Sequence, residues 1–466
     1  MLNVLCSRLL YVARCDLSVI AKFLVVYCRC RVLALNIGRM DIQTSSTVQQ
    51  LLHDVGIDLS MLSDSDRYCW IQLLNRDVLG KPYTCLLKTA IDAFLHSSWS
   101  TFHEKCKMLL DITWEQLYSG HWKDIDITWR HAYTLVSFLK AVSEFAVCGN
   151  VYSMKDVMYT CDMGLLMGAP VMNNILARLA TKLQQLDVNG CSTVAAEDVH
   201  TSDQQRSDHI VQDHDSILCG SKVAVEVCPS LEHFSSAYIS TGTPVILRSC
   251  MDHWPAMLHN RWSPQYMQTV AGCRLVPVEL GSKYTDQSWS QKLMTVNEFF
   301  ERYVLNSSHQ NDEQWHKEVG YLAQHQLFDQ VPRLRQDIVV PDYCALSDND
   351  DESEVDINAW FGPSGTVSPL HRDEKHNLLT QVVGAKYVRL FHPEMTYGLY
   401  RHTSHLLSTT SQVDVENPDL TTFPLFEGVT FSDCVLREGD MLYIPPMYWH
   451  YIRSLTTSFS VSFWWT

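Results

Sequence analysis

The sequence predicts an α+β fold, an all-α half followed by a β half of the sandwich or jelly-roll kind. Three observations predict it. Apolar residues recur at helical spacing over 47–187, short β-type runs spaced by turn signals occupy 221–466, and a polar stretch at 188–220 separates the two textures.

In the first half, Ala132, Leu135, Val136, Leu139 and Val142 fall at i, i+3, i+4, i+7 and i+10, the stripe that one face of a helix buries. A second stripe, Val171, Ile175, Leu179, Leu183 and Leu186, ends at Asp187 to Gly190, a stop signal. Residues 188–220 are rich in Asp, Gln, His and Ser with little periodicity, and read as an exposed linker. Beyond it, Pro244 to Leu247, Leu275 to Leu280, Tyr387 to Phe391, Met441 to Ile444 and Phe459 to Phe463 read as strands. The last alternates Phe and Val with Ser, which predicts one apolar face. The acidic run 347–356 reads as a surface loop between strands.

Residues 1–39 form a basic extension, with Arg8, Arg14, Lys22, Arg29, Arg31 and Arg39 against the single acid Asp16. Such acid-poor segments have the composition of mitochondrial presequences, and the competing reading is an upstream stretch before a start at Met40. Lys22, Arg29 and Arg31 interrupt it too often for a membrane span.

Composition narrows the function. A net charge of −16 argues against direct nucleic-acid binding, and 46% hydrophobic with 19% charged residues argues for a folded chain. The 16 cysteines include no CxxC pair, which excludes a zinc ribbon or a thioredoxin-like motif. Scattered single thiols are expected to be reduced, in an intracellular compartment.

Two His and one carboxylate make a facial triad, which leaves coordination positions open on iron for a chelating co-substrate and dioxygen. The near pair, His-x-Asp/Glu, says little alone, because 20 His and 52 acidic residues in 466 give about two by chance. The chain has three, His371/Asp373, His316/Glu318 and His392/Glu394. Two residues apart on a strand, His371 and Asp373 share a face. Downstream, Gly439-Asp440 opens a strand that Pro445-Pro446 breaks before Tyr448-Trp449-His450, which makes His450 the candidate third ligand. Lys386 opens an otherwise apolar strand, where an ammonium wants an anion or must reach solvent. Asn377 and Ser368 lie close to the metal pair and can donate to the same anion.

The stretches WFGPSGTVSPLHRDEKHNLLTQVVGAKYVRLF (360–391), TSQVDVENPDL (410–420), IPPMYWHYIRSL (444–455) and SFSVSFWW (458–465) closely resemble the JmjC domain-containing protein 5 group. PVILRSCMDHWPAM (244–257) and GSKYTDQSWSQ (281–291) resemble its entry strands, and the likeness runs from about residue 47 onward. The resemblance implies a double-stranded β-helix, cupin-like, spanning 221–466, with Fe(II) on His371, Asp373 and His450. It implies 2-oxoglutarate on Tyr284, Ser368, Asn377 and Lys386, with Trp464 near the same pocket and Trp360 walling the substrate cleft. Such enzymes consume O2, split 2-oxoglutarate to succinate and CO2, and hydroxylate a C–H of the substrate. The implied reaction is C3 hydroxylation of arginine in a basic protein or peptide, histone, ribosomal or chromatin-associated. The alternatives are histone methyl-lysine demethylation or histone-tail peptidase activity, and, from another class, a cupin-like binding scaffold, which the intact triad and Lys386 weigh against. The implied location is nuclear or cytoplasmic. Arg248 departs from the pattern, standing where an acid facing the substrate guanidinium is expected.

Overall fold

The computed structural model describes residues 39–57, 69–120, 124–147, 152–186, 211–281, 289–305, 319–346, 354–404 and 407–466. The extension up to residue 38, most of the linker, the acidic run at 347–353 and Tyr284 lie outside them. The chain divides into two compact units, Met1–Thr193 with Cys273–Leu275, and Val194–Gly272 with Val276–Thr466.

The first unit contains the helices α1 (Arg39–Asp54), α2 (Arg76–Leu95), α3 (Trp99–Tyr118), α4 (Ile127–Ala146), α5 (Met154–Met167) and α6 (Ile175–Leu186). The stripe expected on α4 is buried, and Asp126 caps the helix by accepting from the Thr128 amide. A reciprocal Ser153/Asp156 box starts α5. Gly164 on α5 allows close packing, since a Cβ there would overlap Ser137 and Leu176. The second stripe is shorter than expected. Met172, Asn173 and Asn174 all have φ between 52° and 53°, so the helix starts only at Ile175, and Leu186 is exposed. Within this unit the buried Asp162 carboxylate accepts from Arg274 Nη2 at 2.7 Å and from the Leu275 amide at 2.7 Å. No helix among the described residues is long and apolar enough to cross a membrane.

The second unit carries β1 (Ser221–Lys222), β2 (Ala224–Val227), β3 (Val245–Arg248), β4 (Leu275–Leu280), β5 (Ser290–Thr295), β6 (Gly320–His325), β7 (Asp356–Gly362), β8 (Val367–Arg372), β9 (His376–Val383), β10 (Lys386–Phe391), β11 (Ser432–Leu436), β12 (Met441–Ile444), β13 (Trp449–Ser454) and β14 (Ser458–Trp465). They form a smaller sheet, β1-β11-β10-β13-β8, and a larger one, β2-β3-β12-β9-β14-β7-β6-β4-β5. From β7 to β14 the chain visits larger, smaller, larger, smaller, smaller, larger, smaller, larger. This winding is a double-stranded β-helix, the jelly roll of the sequence reading.

The alternation read on β14 is only half the pattern. Phe459, Val461 and Phe463 join the main core, but Ser460 and Ser462 are also fully buried. Ser460 Oγ donates to Gln381 Oε1 at 2.7 Å and Ser462 Oγ accepts from Trp360 Nε1 at 2.8 Å, so the polar face is a second interior. The end of the stretch read as linker is also structured. Val211–Ile217 is a 3-10 helix, and the amides of Cys219 and Gly220 donate to Asp433. Arg248, at the end of β3, ion-pairs with Asp440 through Nε at 3.2 Å.

Candidate metal and co-substrate site

His371 on β8 and His450 on β13 are register partners of an antiparallel pair, which puts their side chains on one face with ring centroids 4.2 Å apart. Asp373 follows the end of β8. A turn through Pro445 and Pro446 reaches it, because Met447, at φ 66°, donates its amide to the Asp373 carbonyl at 2.6 Å. That bond ties the two ligand-bearing segments together. The Asp373 carboxylate lies 3.6 Å from His450 Nε2, too long for a hydrogen bond. One ligand atom from each of the three side chains lies within 4.8 Å of the others.

The tautomers favour metal binding. His371 Nδ1 is 2.7 Å from the Pro369 carbonyl and His450 Nδ1 is 3.0 Å from the Tyr448 carbonyl. A carbonyl can only accept, so each Nδ1 carries the proton and each Nε2 offers its lone pair. Burial, helped by neighbouring His371 and opposed by Asp373, pushes His450 down to about 4, so its ring is neutral near pH 7. The competing pair His392/Glu394 is exposed on the surface, and His316/Glu318 lies outside the described residues.

Lys386 does not reach solvent. It is 1% exposed, its Nζ donates to the Tyr321 hydroxyl at 3.2 Å, and burial pushes its pKa down to about 7. Asn377 and Ser368 are buried beside it in a cleft lined also by Trp464, Trp360, His371, Asp373 and His450. Counting its mouth, the cleft encloses about 310 Å³. Among the described residues, buried Asn377 Oδ1, Trp464 Nε1 and Asp373 Oδ2 find no hydrogen-bond partner. Turning the Asn377 amide over presents N–H groups instead. The donor set of one ammonium, one amide, two hydroxyls and an indole N–H suits a carboxylate ligand beside a cation held by two imidazoles and a carboxylate.

All the expected site residues that are described therefore converge; Tyr284 lies outside. Tyr321 was missed. Its hydroxyl meets both Lys386 and Ser368, and burial raises its pKa. No local signal marks it, since Gly320–His325 carries no metal or anion motif and Tyr321 lies far from the metal pair in sequence. Ser462, which holds the Trp360 indole, was hidden by reading its strand as half polar.

A family model described as "Cupin-like domain" matches residues 231–466, and one described as "KDM8-like, N-terminal ARM repeats" matches 103–197. The chain is 47% identical to "Lysine-specific demethylase 8" of Danio rerio over 78% of this chain and 87% of the relative. It is 40% identical to "Lysine-specific demethylase JMJ30" of Arabidopsis thaliana over 76% and 84%. It is 35% identical to "Jumonji C domain-containing protein 5" of Drosophila melanogaster over 77% and 85%.

Proposed function

The chain belongs to the JmjC family of Fe(II)- and 2-oxoglutarate-dependent oxygenases, alongside lysine-specific demethylase 8 and JmjC domain-containing protein 5, and from that premise we propose that it demethylates N-methyl-lysine in a basic protein segment. In this reading His371, Asp373 and His450 hold Fe(II), while Lys386, Ser368, Asn377 and Tyr321 hold 2-oxoglutarate. The metal and co-substrate together supply oxidation of a C–H bond by dioxygen. The chain's own part is to orient and to keep water out. Lys386 neutralises the far carboxylate of the co-substrate, Tyr321 and Ser368 fix its angle, and Trp360, pinned by Ser462, walls the side where a substrate enters. The single observation that carries the oxygenase reading is the convergence in one cleft of three metal-ligand atoms and a buried lysine whose hydrogen bond is to a neutral hydroxyl.

Arginine C3 hydroxylation, ranked first from sequence, becomes the second reading. Two relatives named as lysine-specific demethylases support the other order. The Trp360 ring on the wall of the cleft also suits a methylated ammonium. One observation keeps the arginine reading. Glu279 is the register partner of Tyr321, hence on the same face of the sheet, and accepts from Trp289 Nε1 at 3.3 Å. A carboxylate beside the cleft is what a guanidinium would use. Action on a chromatin protein, in the nucleus, belongs to the same proposal.

The test offers methyl-lysine and arginine peptides side by side, with iron, ascorbate and 2-oxoglutarate, and reads peptide mass and formaldehyde. Methyl loss with formaldehyde supports demethylation. A single added oxygen on arginine, without formaldehyde, reverses the order.

A further inference from the structure

At the rim of the second unit two thiols face each other away from the metal site. Cys228 follows the end of β2 and Cys250 follows β3 by two residues, and their Sγ atoms are 3.9 Å apart. The strands run parallel with Val227 opposite Arg248, so both thiols lie where the pair ends. Two residues in left-handed backbone turn them together: Cys228 has φ 44° and Ser249 has φ 58°, a conformation L-residues rarely adopt. The Arg248 carbonyl fixes the arrangement, accepting from the Cys228 amide at 3.2 Å and facing Cys250 Sγ at 3.4 Å. Tyr343 completes the frame. Its hydroxyl donates to the Pro229 carbonyl at 2.8 Å and lies 3.7 Å from Cys250 Sγ.

The geometry points to Cys228 and Cys250 as an oxidisable dithiol, a modification site that closes to a disulfide under a peroxide. Cys228 is exposed and is the thiol a peroxide reaches first; Cys250 is half-buried and faces the Cys228 sulfur, which gives it the resolving role. Cys228 gives up its thiol proton and attacks one peroxide oxygen; the O–O bond breaks, the departing hydroxide takes up a proton and leaves as water, and the sulfur becomes a sulfenic acid. The Cys250 sulfur then attacks the Cys228 sulfur, the S–S bond forms, the S–O bond breaks, and a second water leaves. Two thiols lose two electrons in all and one hydrogen peroxide gains them. Closing the pair brings the sulfurs from 3.9 Å to the roughly 2.05 Å of a disulfide.

The bond would fasten an edge. β2 is the four-residue outer strand of the larger sheet, with Val225 and Val227 exposed, and among the described residues its sheet partner is β3 alone. A cross-link at its end pins the start of the second unit to the interior strand beside it.

The chain's own cleavage pattern makes the test clean, because Lys222, Arg248 and Arg261 bound two tryptic peptides, 223–248 and 249–261, with one cysteine each. Full-length protein is treated with hydrogen peroxide, its free thiols are blocked, and the digest is analysed without reductant. The expected product joins the two peptides with the loss of two hydrogens and disappears on reduction. Amide exchange at 224–227 should slow at least threefold in the oxidised protein. Cys228→Ser and Cys250→Ser, neither of which lines the metal cleft, should each abolish the joined peptide while leaving the circular dichroism spectrum unchanged. Oxidation of Cys228 to sulfinic acid without the joined peptide, or its pairing with another cysteine or a second molecule, overturns the proposal.

Discussion

Lys386 is the residue on which stability and function pull apart most clearly. Buried, and hydrogen-bonded to a neutral hydroxyl, its ammonium is held down to about 7 from the 10.5 of an exposed lysine. Between those two values the unfolded chain binds the proton that the folded chain has released, so this residue makes stability rise with pH from about 7 to 10.5. Below 7 both states are protonated and the full burial penalty applies. Lys386→Met, of similar shape, should therefore stabilise the ligand-free protein near pH 7 by about 2–4 kcal/mol and flatten that rise. Adding 2-oxoglutarate should raise the thermal midpoint of the wild type and not of the variant. Denaturant titrations at pH 6.5 and 10, with and without 2-oxoglutarate, check both halves; a variant less stable than wild type at pH 6.5 counts against an uncompensated charge. His450→Ala is the complementary case. It removes one of three metal donors, so Fe(II) binding by calorimetry and 2-oxoglutarate turnover should both disappear, with cavity formation costing about 1–3 kcal/mol of stability. Retained turnover would remove His450 from the ligand set.

At the scale of elements, the turn between β9 and β10 aims Lys386. Gly384 has φ 77°, and a Cβ there would overlap the Thr457 carbonyl that closes over the turn. Gly384→Ala meets left-handed strain of about 1 kcal/mol together with that overlap, so a loss of about 2–4 kcal/mol is expected. Because the turn shifts Lys386, 2-oxoglutarate affinity should fall as well, by about tenfold if the ammonium moves out of hydrogen-bond reach. Equal melting and equal affinity would mean that the turn relaxes freely. Elements of this kind explain what the sequence made legible. His371, Asp373 and His450 could be read because strand alternation and a proline break act over a few residues. Ser368, Asn377 and Lys386 could be read because they sit on three consecutive strands, β8 to β10, close in sequence to the metal pair. Tyr321 could not, since its strand joins the sheet through a pairing with β7 and β4 that no local pattern encodes. Ser460 and Ser462 misled for a related reason. Alternation reports two different faces, and both faces of β14 are interior. The start of α6 at Ile175 instead of Val171 follows from three left-handed residues that helical periodicity cannot register.

At the scale of the whole molecule, the charge of −16 acts on encounter with substrate more than on the bound complex. A cationic peptide is drawn through a field that salt screens over about 8 Å at physiological ionic strength. Contacts inside the cleft are short and buried, so they are screened far less. Raising the salt from 50 to 300 mM should therefore raise KM for a basic peptide by about three- to tenfold while kcat stays within twofold. A neutral peptide with the same target residue should show little salt dependence of KM. The comparison separates two sources of preference for basic substrates. If the acidic surface is responsible, the advantage of the basic peptide over the neutral one shrinks with salt; if Glu279 and the rings beside the cleft carry it, the advantage persists. A KM that stays flat for the basic peptide would assign the preference to the cleft alone and leave the net charge without a part in substrate capture.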